Sequence, residues 1–461
     1  MQALRAYTQG SPLGGPMTAM AERWRSILGL ALPIIGASLV EIILGLVDTA
    51  FLGRLGAGAL AAVATASALY SVVVQVVATS AIGYQILAAR AFGASDRARV
   101  DALYSNAVVL VAAVAALGVL LLFFSLPLLR LIASTEEVAQ EALLFLRIRS
   151  PSLLFFALGL ALRSTLYTAK QAHWVFRASV LSVSANIVLD YLLIFGKLGL
   201  PAMGTAGAAL ASTIATLLGY MYLYWVHLRL KLAAFLPRAA HAHGVREQLR
   251  LSGPEMANAF LDYVGTAVLF LFMGQLGTYA LAGGRIGFTL LLFFFALAFG
   301  LGFAVQILVG HHLGAGRTED FRKDLHAGHW LGVPTFLLLG FLTYLAREPL
   351  ALVFTSSPEV VAEAVQALIP VALSLPLMAA TMVEVGGLRA LGYTQWNMYS
   401  NLAVIWFVQM PVAWLLGVKL GLGLEGVFAG FVAYFGVRWL VTHVLLNRGL
   451  RRISQADTVS Q

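Results

Sequence analysis

The chain has 461 residues, of which 60% are hydrophobic and 11% charged, and its mean hydropathy is +0.87. This composition is typical of a protein that crosses a membrane many times, and it excludes an ordinary water-soluble fold. In a membrane protein, a formal charge of +9 predicts basic loops on one side of the membrane, and we expect no nucleic-acid partner. The absence of cysteine excludes disulfides and thiolate metal sites.

Apolar runs separated by charged residues, Gly or Pro predict twelve membrane-crossing helices, since one crossing needs about 20 apolar residues. An even number of spans places both termini on one side. Lys and Arg concentrate in the termini and in the loops after the even-numbered spans, so we expect both termini in the cytoplasm and the spans in the cell (inner) membrane. The predicted spans are 27–53, 60–89, 103–127, 138–162, 177–196, 205–228, 249–276, 280–310, 327–346, 360–388, 396–418 and 424–446.

The two halves of the chain repeat each other when the sequence is shifted by 221 positions. The aligned residues include Pro33 with Pro254, Gly53 with Gly274, Gln85 with Gln306 and Gly93 with Gly314. Six spans per half bring the second half into the membrane from the same side as the first, so the repeat is parallel. We therefore predict an all-α polytopic membrane protein of two pseudo-symmetric six-helix lobes. Its segments are a cytoplasmic tail 1–26, an N-terminal lobe 27–228, a cytoplasmic linker 229–248, a C-terminal lobe 249–446 and a cytoplasmic tail 447–461.

The first span contains Pro33 and two carboxylates, Glu41 and Asp48. A carboxylate at mid-membrane depth costs about 2.5–3.5 kcal/mol and therefore usually has a function. The two acids are seven residues apart, so they share one face of the helix. A proline within a helix removes a backbone donor, and Pro33 is therefore a hinge candidate, with a static kink as the alternative.

Asp48 in span 1 and Asp190 in span 5 each lie about six residues before the outer end of their span. They should therefore sit at the same depth in the N-terminal lobe, where two carboxylates can share a proton or hold Na⁺ between their oxygens. Asn186, one turn before Asp190, is a further candidate ligand. The alternative for either acid is a neutral, hydrogen-bonded packing residue.

The substrate cavity has candidates in both lobes. Glu41 and Asp262 are repeat mates, each eight residues after an aligned proline, whereas Asp48 has no acidic mate, so the lobes are chemically unequal. Aromatic faces beside a carboxylate suit lipophilic cations, and the aromatic candidates are Tyr70, Tyr191 and Tyr263. Glu384, five residues from Arg389, is expected to form a structural ion pair.

The sequence resembles the multidrug and toxic compound extrusion (MATE) family, closest to its prokaryotic DinF-like and NorM-like branches. The matching stretches are LVDTAFLGRLG (46–56), ARAFGASDRARVD (89–101), LRSTLYTAKQ (162–171), NIVLDYLLIFGKLGLPAMGTAGAALAS (186–212) and GLRALGYT (387–394). The resemblance implies a twelve-helix antiporter, not an enzyme, that exports organic cations and other amphipathic drugs or toxins in exchange for H⁺ or Na⁺. It implies no cofactor besides that ion, and we expect a monomer whose partners are its substrates and the membrane lipids.

Individual residues carry the resemblance. Asp48 and Asp190 match the family's N-lobe coupling aspartates, with Asn186 beside them, Pro33 matches the proline at which the first helix bends, and Asp262 matches the acid of the seventh helix. Met378 aligns where NorM-like members have an acid, which favours coupling through the N-terminal lobe.

Two alternative functions for the sequence are a lipid flippase and a membrane-embedded enzyme. A flippase for a lipid-linked precursor would need a strongly cationic cavity, and the sequence is expected to place almost no Lys or Arg other than Arg438 inside the membrane. A membrane-embedded enzyme would need a nucleophile or a metal constellation, and the sequence shows none.

Overall fold

The computed structural model describes residues 16–233 and 240–459, which form α-helices and no β-strand. Eleven helical stretches are long and apolar enough to cross a membrane, and the helix pair Glu136–Arg149 and Ser152–Thr168, bent by 43°, makes a twelfth. The predicted all-α, twelve-span membrane fold is therefore confirmed. The helices are α1 (Pro16–Gly53), α2 (Ala57–Thr79), α3 (Ile82–Gly93), α4 (Arg97–Phe123), α5 (Leu126–Ile132), α6 (Glu136–Arg149), α7 (Ser152–Thr168), α8 (Ala172–Phe195), α9 (Gly204–Leu230), α10 (Ala242–Gln275), α11 (Thr278–Gly314), α12 (Thr318–Leu345), α13 (Arg347–Leu352), α14 (Pro358–Ala390), α15 (Thr394–Val404), α16 (Met410–Ala413) and α17 (Gly423–Val459), with π-helical turns at Ile405–Gln409 and Trp414–Lys419 on either side of α16.

Several helices extend beyond the predicted spans. Helix α1 begins inside the predicted tail 1–26, α10 begins inside the predicted linker 229–248, and α17 runs through most of the predicted tail 447–461. Hydropathy detects only the apolar part of a helix, whereas the polar turns at its ends continue past the membrane. The remainder of these three segments includes residues 1–15, 234–239 and 460–461, which lie outside the described residues.

Each lobe has its own apolar core. The N-terminal core is built from buried side chains between residues 52 and 233, with Tyr84 fully buried among them. The C-terminal core draws on residues 269–435 and has Phe428 fully buried. The two cores are separate clusters of contacting side chains, so each lobe is a packing unit of its own.

The lobes meet at one end of the bundle. Twelve crossings bring the start of α1 and the end of α17 to the same end, which we call the base; the opposite end is the mouth. A third apolar cluster packs Ile27, Leu30, Ala31 and Ile34 of α1 against buried residues of α11, α12 and α14. The first half of α1 is therefore attached to the C-terminal lobe, although the helix belongs to the N-terminal lobe by sequence.

Two aligned residues of the repeat join the lobes symmetrically at the base. The Arg90 guanidinium of α3 donates to the Ala390 carbonyl at the end of α14, with Nε 3.1 Å from the oxygen. Its repeat mate His311 in α11 contacts the Thr168 carbonyl at the end of α7 through Nε2 at 2.6 Å. A helix's last carbonyls have no partner within the helix, so each lobe satisfies a helix end of the other. The base is closed by these contacts.

Glycine at two aligned positions permits this closure. A Cβ at Gly93 would overlap the backbone at His311, and a Cβ at Gly314 would overlap the backbone at Arg90. Arg90 and His311 are themselves 221 positions apart, so the pseudo-twofold axis of the repeat passes between these two glycines.

Gly93→Ala is expected to open the base. Overpacking costs about 1–3 kcal/mol, so the base-open population should rise at least about fivefold. Because the chain has no cysteine, the rate of maleimide labelling of a single Ala31→Cys reporter measures this opening. Gly253→Ala, whose Cβ would meet nothing within 4 Å, is the matched control. Equal labelling rates in the two variants would contradict the role assigned to Gly93.

Candidate functional site

The N-terminal lobe contains two adjoining cavities of about 300 and 490 Å³. Asp48, Tyr70 and Arg149 lie in the walls of both, so the cavities form one continuous space between α1, α2, α6, α7, α8 and α9. Glu41 and Asn186 line the smaller cavity, and Asp190 and Tyr263 line the larger one. Tyr263 belongs to α10, so the larger cavity reaches the boundary between the lobes.

Asp48 and Asp190 face each other across this space. Both carboxyl groups lie in the wall of the larger cavity, near enough for the charge of one to act on the other. Asp190 is 1% exposed, and its Oδ2 accepts a hydrogen bond from Asn186 Nδ2 at 2.7 Å. The Oδ1 atoms of both aspartates are buried and accept no hydrogen bond from the described residues. A buried oxygen without a partner is costly, so this pair is suited to take up a proton or an oxygen-preferring cation such as Na⁺.

Arg149 is a member of this site that the sequence prediction missed. Its guanidinium lies 4.7 Å from the centroid of the Tyr70 ring, and its charge acts on both aspartates. The Tyr70 hydroxyl is 3.0 Å from the Ser152 hydroxyl, which fixes the ring in place. A signal was present in the sequence, because Arg149 lies within the predicted span 138–162 directly before the Ser150-Pro151 step.

Glu41 also has a cationic neighbour in the cavity. Arg163 Nη1 lies 3.3 Å from Glu41 Oε1, and the Glu41 side chain is 52% exposed. The expectation that Arg438 is nearly the sole arginine inside the membrane region is therefore wrong. Arg163 directly follows the predicted span 138–162, and an arginine side chain is long enough to carry its charge well away from its backbone position, so it reaches the cavity. Arg149 lies in the middle of that span and also lines the cavity.

The other predicted cavity residues are distributed differently. Asp262 lies in the C-terminal lobe and is not in the walls of the two cavities; its Oδ1 accepts from Asn401 Nδ2 at 2.8 Å. Tyr191 is 47% exposed and packs beside Phe195, with ring centroids 6.0 Å apart, and it too lies outside both walls. The structure thus brings together the predicted residues of the N-terminal lobe except Tyr191.

The predicted ion pair between Glu384 and Arg389 is wrong. Glu384 Oε1 instead contacts His443 Nδ1 at 2.8 Å and His329 Nε2 at 3.3 Å. Residues five apart on a helix do not face each other, whereas residues three or four apart do. Arg389 therefore points to another helix and pairs with Glu255 of α10, with Nη2 2.6 Å from Oε2.

Pro33 lies inside α1, which continues through it without a break. The residues up to Ile34 pack on the C-terminal lobe, while Leu52 belongs to the core of the N-terminal lobe. The hinge assigned to Pro33 remains a prediction, but the residue is at the point where the helix passes from one lobe to the other.

Comparison with known proteins agrees with the fold and the repeat. The family model MatE matches residues 33–192 and again 254–415, two segments that begin 221 positions apart. The probable multidrug resistance protein NorM of Thermotoga maritima is 28% identical over 424 residues, which cover 91% of each chain. Its namesake from Pseudomonas aeruginosa is 31% identical over 88% of this chain and 85% of its own length.

Solved structures show the same architecture. A mutant of the Vibrio cholerae MATE transporter VcmN matches with a TM-score of 0.88 over 94% of this chain and 98% of that chain, at 21% identity. The eukaryotic MATE transporter AtDTX14 matches with a TM-score of 0.82 over 95% of this chain and 99% of that chain, also at 21% identity. Since the family model covers more than half of the sequence in two repeats, this chain belongs to the MATE family of membrane transporters.

Proposed function

We propose that this protein is a secondary antiporter that exports amphipathic organic cations and related drugs or toxins in exchange for H⁺ or Na⁺. The observation that carries the proposal is the facing pair Asp48 and Asp190 in the wall of a cavity, each with one buried oxygen that accepts no hydrogen bond from residues 16–233 or 240–459. The names of its relatives, which include multidrug resistance proteins of several bacteria, support the substrate class.

The proposed orientation places the base in the cytoplasm, in agreement with the positive-inside rule. In this orientation, a base closed by the described contacts belongs to the state of the cycle in which the cavity opens toward the outside. Entry of H⁺ or Na⁺ at Asp48 and Asp190 neutralises the pair. Helix α1 then bends at Pro33, because its base half is held by the C-terminal lobe while its other half carries Asp48.

Bending shrinks the cavity and releases the substrate outward, after which the lobes rock and discharge the ion inside. Each elementary charge that moves through 100 mV supplies about 2.3 kcal/mol, so ordinary gradients can drive accumulation. The protein is expected to complete this cycle as a monomer, since one chain contains both lobes.

Transport by proteoliposomes loaded with a fluorescent lipophilic cation tests the proposal. A pH gradient and a Na⁺ gradient are imposed separately, at equal membrane potential, and dye movement is recorded. Transport under one gradient identifies the coupling ion. If several chemically distinct cations move under neither gradient, the antiport proposal is wrong.

The charged groups of the cavity do not favour the flippase alternative. The carboxyl groups of Glu41, Asp48 and Asp190 outnumber the guanidinium groups of Arg149 and Arg163. A pyrophosphate group would instead require a cavity with a clear excess of positive charge.

Arg163→Gln is expected to strengthen the binding of cationic substrates. Removing this guanidinium leaves Glu41 free to face a bound cation, and at the effective dielectric of a partly exposed site this should lower KM roughly three- to tenfold. Initial rates of cation transport measure the change. Arg163→Lys, which keeps the charge, is the control and should leave KM unchanged; an equal fall in both variants would contradict the electrostatic explanation.

A further inference from the structure

A buried chain of polar side chains runs through the C-terminal lobe. Arg389 forms a two-point pair with Glu255, with distances of 3.1 and 2.6 Å. Asn397 Nδ2 donates to Glu255 Oε1 at 2.8 Å, and Asn397 Oδ1 accepts from Arg438 Nη2 at 2.9 Å. Arg438 Nη1 also donates to Asn401 Oδ1. We call this set, together with Asp262, the polar centre.

The polar centre ends at Asp262. Asn401 Nδ2 donates to Asp262 Oδ1 at 2.8 Å and to Asn258 Oδ1 at 2.7 Å, while Asn258 Nδ2 is 3.3 Å from Asp262 Oδ2. The Tyr434 hydroxyl donates to Asn401 Oδ1 at 2.5 Å. Both carboxyl oxygens of Asp262 therefore have amide donors, unlike the Oδ1 atoms of Asp48 and Asp190.

The charges of the polar centre balance. Two carboxylates, Glu255 and Asp262, are matched by two guanidinium groups, Arg389 and Arg438. Arg389 serves Glu255 directly. Arg438 is 3% exposed and contacts neither acid, but its charge acts on Asp262, and the amides of Asn397 and Asn401 lie between them. Each of these amides presents its oxygen to Arg438 and its nitrogen to a carboxylate.

This arrangement is what a bound cation would produce. Hard cations take oxygen ligands, and the Asn397 and Asn401 oxygens converge on the place where the Arg438 guanidinium lies. An arginine side chain is not deprotonated in proteins, and its charge cannot leave with the ion gradient because it is covalently attached. Its position therefore excludes an exchangeable ion.

We propose that Arg438 is a built-in cation that permanently occupies the place on which the Asn397 and Asn401 oxygens converge, so that removal of its charge exposes a latent Na⁺ site at these two oxygens, with Asp262 as the counter-charge. The inference builds on the proposed function in one respect: it leaves the N-terminal pair as the exchangeable site. The N-terminal lobe then exchanges its cation during transport, whereas the C-terminal lobe keeps the fixed cation Arg438.

Binding of radioactive Na⁺ to the purified full-length protein tests this inference in an Asp48→Asn background, which removes the N-terminal site. Asp48→Asn alone is expected to bind no Na⁺. Adding Arg438→Gln should create saturable, stoichiometric Na⁺ binding, which a further Asp262→Asn substitution should abolish. Arg438→Lys, which keeps a positive charge, is the matched control and should create no binding.

Two results would overturn the inference. One is Na⁺ binding by Asp48→Asn that disappears in Asp48→Asn/Asp262→Asn, since the lobe would then hold an exchangeable ion with Arg438 in place. This comparison contains no Arg438 variant and so remains decisive if Arg438→Gln does not elute as folded protein. The other is no gain of Na⁺ binding in a folded Arg438→Gln variant. Failure of the antiport proposal is read separately, as absence of dye transport by the unmodified protein under either gradient.

Discussion

Export driven by an ion gradient is expected to fall to the level of empty liposomes when Asp48 is replaced by asparagine. The substitution keeps the size and most of the hydrogen-bonding capacity of the side chain but removes its charge and its proton. The facing Asp190 then has no acidic partner, and neither H⁺ nor Na⁺ can be exchanged between two carboxylates. The assay is dye export from proteoliposomes under the gradient that drives the unmodified protein.

The matched control for this experiment is Glu137→Gln, which removes an exposed carboxylate in α6 away from both cavity walls. It should export at the unmodified rate. Substrate binding by Asp48→Asn, measured without a gradient, separates loss of coupling from loss of folding. If Asp48→Asn exported at the rate of the control, coupling through the N-terminal pair would be disproved.

Sequence predicted the features that follow from periodicity and depth. The twelve spans were predicted from apolar runs. The two lobes were predicted from the repeat offset of 221 residues between Pro33 and Pro254, and the two family-model matches begin at the same two residues. The proximity of Asp48 and Asp190 was predicted because both lie about the same number of residues before the outer end of their span. These are one-dimensional properties, and a membrane converts them into positions along a single axis.

Side-chain direction could not be predicted in the same way. Arg149 lies in the middle of residues 138–162, which hydropathy treats as one straight span, whereas the chain bends by 43° between α6 and α7 and the guanidinium lies over Tyr70. Glu384 was the predicted partner of Arg389, but Arg389 points to another helix and pairs with Glu255. Neighbouring helices determine such choices, and the sequence of one helix does not contain them.

Helix α1 connects the chemistry of the site to the closure of the base. Its first half shares a core with α11, α12 and α14, and Arg23 near its start forms ion pairs with Asp320 and Asp324 of α12. Its second half carries Asp48 into the N-terminal cavity. Any change of charge at Asp48 therefore acts on a helix that is anchored in both lobes, which is the arrangement that coupling of ion binding to lobe movement requires.

Glu255→Gln is expected to be the most destabilising of the substitutions considered. Glu255 is 1% exposed and paired through two hydrogen bonds with Arg389, so the substitution leaves a buried guanidinium without its counter-charge. Breaking one partner of a buried pair costs about 3–5 kcal/mol, and it also gives the polar centre a net positive charge. Thermal unfolding of the detergent-purified protein should show a large fall in Tm.

The control is the pair Arg130–Glu136, which has similar geometry, with Arg130 Nη2 2.7 Å from Glu136 Oε1, but is more than half exposed. Water screens such a pair, so Glu136→Gln should leave Tm nearly unchanged. The double substitution Glu255→Gln/Arg389→Met removes both charges and should recover much of the lost Tm, because a buried pair can be replaced by uncharged groups at little cost. A Tm that fell equally in the single and double variants would show that Glu255 acts through packing, and the charge balance assigned to the polar centre would then be wrong.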